Sequence, residues 1–86
     1  MTKADYLNTA SDLRRIADWV ARGEREKIDT IIKLWKEINK KEEVRKIIAA
    51  YMGKFEPQGV FEDDRKRIFF AEQALISSFR LQHISE

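Results

Sequence analysis

Eighty-six residues hold one hydrophobic core, so residues 1–86 are expected to form a single domain. The apolar share of 43% suffices for that core, and the charged share of 37% mixes seventeen basic with fifteen acidic residues for a net charge of +2, unlike the one-signed surface of an electrostatic nucleic-acid binder. With no cysteine, disulfide scaffolds and thiolate metal sites are excluded, and no stretch approaches the ~18 apolar residues of a membrane span.

The N-terminal Met1-Thr2-Lys3-Ala4-Asp5 lacks the apolar core of a signal peptide, and a cytoplasmic protein is the expectation. A chain this short buries only about 60–65% of its extended surface, and small folds commonly gain burial by oligomerisation. Alternating β-branched runs and Asn-Gly or Asp-Gly turns are absent, whereas apolar residues recur at spacings of three and four. Three glycines and one proline interrupt them, so helices should dominate.

The first helix starts at a capping box, Thr2 with Asp5, and Thr9 with Asp12 offers a second start that would break it near Asn8. Its stripe is Tyr6, Ala10, Leu13, Ala17 and Val20, with Ile16 beside it, and it ends at Arg22-Gly23. Trp19 lies about 120° off that stripe, between Asp12 and Arg15, and is a candidate partner anchor. The second helix carries Ile28, Ile31, Ile32, Leu34, Trp35 and Ile38 on one broad face, with Trp35 squarely in the core.

Continuing that face through a straight helix leads to Glu42, Arg45 and Ala49, while the observed apolar residues are Val44, Ile47, Ile48 and Tyr51, displaced by about 120°. A break or strong bend near Asn39-Lys40 resolves the conflict, and Asn39 with Glu42 can cap a third helix. Gly53 to Gly59, with Pro57, reads as the one substantial loop, in which Phe55 packs against the core. The last helix should begin near Phe61, with Glu62, Asp63 and Asp64 in its first turn, and run to about Ile84. The expected fold is all-α: a compact bundle of four helices, or three with the second bent near Asn39, the long C-terminal helix central.

That last helix is apolar on more than one side. Ile68, Ala71, Leu75 and Phe79 make an ordinary core stripe; Phe70, Ala74 and Leu81 lie nearly opposite, and Phe69 and Ile76 share a third direction. Three other short helices can scarcely enclose such a helix, so Phe70, Ala74 and Leu81, aided by Trp19, are the expected partner-binding surface of a homodimer or of a helical protein partner.

The alternative is an accessory protein that touches nucleic acid through the basic bend at residues 33–46, with Lys40, Lys41, Arg45 and Lys46 as phosphate contacts. Against it, acid-first i,i+4 pairs such as Glu37–Lys41, Glu42–Lys46, Glu62–Lys66 and Asp63–Arg67 suit solvated helix faces. Catalysis has little to stand on. His83 is the only histidine, Ser77-Ser78 has no glycine-rich elbow, and no phosphate loop is present. A non-enzymatic protein without metal or cofactor is expected.

Overall fold

The computed structural model describes residues 2–53 and 56–85. Four helices make up the fold: α1 (Lys3–Ala21), α2 (Ile28–Asn39), α3 (Glu42–Met52) and α4 (Asp64–Ser85), with single 3-10 turns at Arg25–Lys27 and Val60–Glu62. Among the described residues there is no strand, and no helix is long and apolar enough to cross a membrane. The radius of gyration, 11.9 Å, is the roughly 12 Å that a compact chain of this length adopts.

The helix ends follow from local chemistry. In α1 the Asp5 N–H donates to Thr2 Oγ1 at 3.2 Å, and the Thr2 N–H donates to Asp5 Oδ2 at 3.0 Å, which completes the capping box. The possible break near Asn8 does not occur, because the Thr9 hydroxyl donates back to the Asp5 carbonyl at 2.8 Å and α1 runs on. At the other end Gly23 turns left-handed, φ 72°, and places its N–H 3.1 Å from the Val20 carbonyl and that of Glu24 3.0 Å from the Trp19 carbonyl. These two bonds are a Schellman stop, for which glycine is the favoured residue.

Between α2 and α3 the chain turns at Lys40-Lys41. Asn39 does not cap α3, because its amide donates to the Trp35 carbonyl at 2.8 Å within its own helix. Lys41 stands at the cap position in extended conformation, with no side-chain cap bond. The last helix begins three residues later than its acidic run suggests. Val60 and Phe61 are drawn into the core on the 3-10 turn, and Asp63 caps α4 by accepting from the N–H of Arg65 at 2.9 Å and of Lys66 at 3.3 Å. Phe55, expected in the core, lies outside the described residues.

Helices α1 and α4 form the spine and run antiparallel, since Arg14 reaches Gln82 while Arg67 reaches Val20 and Ala21. Small residues on both helices, Ala10 and Ala17 against Ala71, Ala74, Ser77 and Ser78, are all buried and let the two approach closely. The second and third helices close the core with Ile31, Trp35, Ile38, Val44, Ile48 and Met52. Trp35 sits in that core as expected, its ring 5.3 Å from Phe70 and tilted by 52°.

The placement of α4 corrects the sequence reading. Phe70, Ala74 and Leu81 are fully buried in the chain's own core, not offered to a partner. Of the stripe expected inside, only Ala71 is buried; Ile68, Leu75 and Phe79 are exposed, Phe79 by 54%. The two faces have exchanged roles. The physical reason is charge: from Phe70 to Leu81 the inner arc carries no ionised group, and the one cation on that side, Arg67, stands a turn earlier and spends its charge on the α1 carbonyls, whereas Glu72 lies in the middle of the face that is exposed. Nor is α4 covered all round. It packs on α1, α3 and the Val60–Glu62 turn, and one side faces out.

The total exposed surface, 5487 Å², means that about 63% of the extended chain's surface is buried, as a monomer of this mass should achieve without a partner.

Candidate interaction surface

The outer side of α4 gathers five large apolar side chains: Ile68, Phe69, Leu75, Ile76 and Phe79. At 100° per residue they span an arc of about 120° and a length of about 16 Å, and together expose roughly 400 Å². Isolated surface leucines need no explanation, but a contiguous patch of this size on a small domain is the kind that marks an interaction site. Glu72 sits within the patch; Arg65, Arg80 and His83 border it, Glu72 and Arg80 well inside the helix, Arg65 in its first turn and His83 in its last.

Two arginines hold this face in place: Arg67, expected on a solvated face as the partner of Asp63, and Arg14, which the sequence did not single out. The Arg67 guanidinium is mostly buried and donates from one nitrogen to the Val20 carbonyl at 2.9 Å and the Ala21 carbonyl at 2.6 Å, while Nε lies 3.5 Å from Asp64. It supplies, from α4, the positive charge that α1 lacks in its own last turn. Only helical position could have singled it out within Arg65-Lys66-Arg67, because Arg67 alone of the three turns toward the inner arc. At the far end Arg14 donates to Gln82 Oε1 at 2.7 Å and lies 5.9 Å from the Phe79 ring centroid. Between these two ties, Ala17, Asp18, Ala21, Ala71, Glu72 and Leu75 line a shallow groove of about 270 Å³.

Trp19 does not join this surface. It packs half-buried at the edge of the core, with the Arg15 guanidinium 5.4 Å and the Lys27 ammonium 5.5 Å from its ring. Two cations of its own chain therefore lie against the indole.

The four basic residues of the bend are not arranged on one surface either. Lys41 donates to Thr9 Oγ1 on α1 at 3.1 Å, while Lys40 and Arg45 line a cleft of about 500 Å³ floored by Trp35 and Ile48. Glu37 pairs with Lys40 at 2.9 Å and not, as the i,i+4 spacing suggested, with Lys41; that hydrogen bond holds the Glu37 carboxyl below the usual carboxylate range. Lys46 pairs with Glu42 at 3.8 Å, as the i,i+4 spacing predicts.

Elsewhere, the Tyr6 hydroxyl donates to Glu43 Oε2 at 2.8 Å and ties α1 to α3; this bond raises the phenol's pKa above its ordinary value. Ser77 and Ser78 are buried, their hydroxyls given to the carbonyls of Gln73 at 2.8 Å and Leu75 at 2.6 Å. Among the described residues no group of three or more His, Asp or Glu is placed to hold a metal ion. No family model, curated protein or solved structure matches this chain.

Proposed function

We propose that the protein is a non-enzymatic interaction module that pairs with a second copy of itself through the outer face of α4. The observation that carries the reading is the exposure of Ile68, Phe69, Leu75, Ile76 and Phe79 on one side of a helix whose other side already fills the core. Folding does not need these side chains in water; association gives them somewhere to go.

With the polar groups around it the face would bury about 600 Å² per copy, or roughly 1,200 Å² in all, the lower end of specific interfaces. Pairing is therefore reversible and sensitive to concentration. The surface also carries both signs of charge, Glu72 beside Arg65 and Arg80, which suits a self-complementary contact better than a one-signed partner.

Sedimentation or light scattering over a concentration series from about 10 to 500 μM, the range where an interface this small saturates, tests the reading. The wild-type mass should rise toward a dimer. Ile76→Glu with Phe79→Glu should hold it at a monomer with helical signal and cooperative melting retained, since neither side chain belongs to the core. A wild type that stays monomeric at the top of the series overturns the proposal.

A further inference from the structure

The exposed positions of α4 centre within about 20° of Ile76, so a second helix laid on this face meets Ile76 first. Through Ile76 runs one i±4 ridge: Ile68, Glu72, Ile76, Arg80, Ile84. All five are exposed. Read outward from Ile76, the ridge has an acid one step toward the N-terminus, a base one step toward the C-terminus, and isoleucine two steps away on both sides.

This order is self-complementary in one arrangement only, antiparallel about a two-fold axis at Ile76. A parallel pair in register would set Glu72 against Glu72 and Arg80 against Arg80, which is repulsive twice over. The antiparallel pair sets each Glu72 beside the Arg80 of the other copy.

Resting on the self-pairing reading, we infer that two copies join as an antiparallel α4 pair with Ile76 at the two-fold axis and reciprocal Glu72–Arg80 ion pairs between the copies. Packing i±4 ridges side by side crosses the helices at about −50° with axes 8–10 Å apart. Leu75 and Phe79 then lie on the same side of the contact in both copies and pack against their counterparts. Because a two-fold contact uses the same patch twice, the pair closes and does not propagate into a chain.

Charge exchange tests the register. Glu72→Arg and Arg80→Glu should each lower the association constant about tenfold or more, by replacing two attractions with two repulsions, and the double exchange should restore it to near the wild-type value. Cysteine trapping reads the axis directly, because the chain has no cysteine of its own. Ile76→Cys should give a disulfide-linked dimer on mild oxidation, whereas Phe69→Cys, about 21 Å from its counterpart across the axis, should not. If the wild type associates but the double exchange fails to recover affinity, or Phe69→Cys links as readily as Ile76→Cys, this register is overturned while self-pairing stands. A monomeric wild type overturns both.

Discussion

Leu81→Ala and Leu75→Ala remove the same atoms from the same helix, less than two turns apart, and should differ sharply in cost. Leu81 is fully buried, so its truncation loses the transfer energy of the deleted carbons and leaves a cavity walled by the core, about 2–5 kcal/mol. Leu75 is 36% exposed and opens onto the groove beside α1, so water fills the vacated space and only the transfer of its buried part is lost, about 1 kcal/mol. At about 4–8 °C per kcal/mol for a domain of this size, Leu81→Ala should melt roughly 8–40 °C below wild type and Leu75→Ala only about 4–8 °C below it. Thermal and urea unfolding followed by far-ultraviolet circular dichroism measures both. The melts belong at the lowest workable concentration, because a dimer would add stability that Leu75→Ala also removes. Equal losses, or a larger loss for Leu75→Ala, would refute the assignment of inner and outer faces.

Two further outcomes follow from the polar ties. Arg67→Met keeps the stem of the side chain but leaves the last carbonyls of α1 without their charged donor; it should cost about 1.5–3 kcal/mol and, in hydrogen exchange, loosen the final turn of α1 before the rest of the core. The Tyr6 phenol, raised by its bond to Glu43, contributes stability that is fully present below the ordinary tyrosine pKa and is lost as pH rises through the folded value. Absorbance titration should therefore show Tyr6 ionising late, and Glu43→Ala should bring it down.

Helix breaks were legible where the chain carries a local device. Gly23, the phase shift at Asn39-Lys40, and the run from Gly53 to Gly59 each act within a few residues, and the structure turns at all three. The capping box at Thr2 was legible for the same reason. Which residue uses a cap was harder to read: Asn39 had two acceptable hydrogen-bond outlets and took the carbonyl behind it, and three successive acids competed to start α4 until the burial of Val60 and Phe61 left Asp63 to cap it.

The faces of α4 were not legible from hydropathy, because two opposite arcs both carry apolar residues at helical spacing. Size and charge separated them. Ser77 and Ser78 suited either a helix surface or close packing and are buried, and Glu72 lies just beside the stripe expected inside, on the face that turns out to be exposed. The ties made by Arg67 and Arg14 span more than forty residues of sequence and depend on how the two helices meet, which no local pattern encodes.

The antiparallel packing of α1 on α4 joins two helices more than forty residues apart, and this sets an order of events during synthesis. At about 5–20 residues per second, the roughly sixty residues between the end of α1 and the end of α4 take about 3–12 s to make. Throughout that interval Leu13, Ile16, Ala17 and Val20 are without the helix that covers them, and the nascent chain presents a sticky stripe that chaperones or neighbouring chains can engage. When α4 emerges, its inner arc closes the core and its other arc turns outward in the same step. The self-pairing proposed for that outer arc therefore cannot precede completion of the fold, and a chain stalled before α4 lacks the helix that covers its α1 stripe.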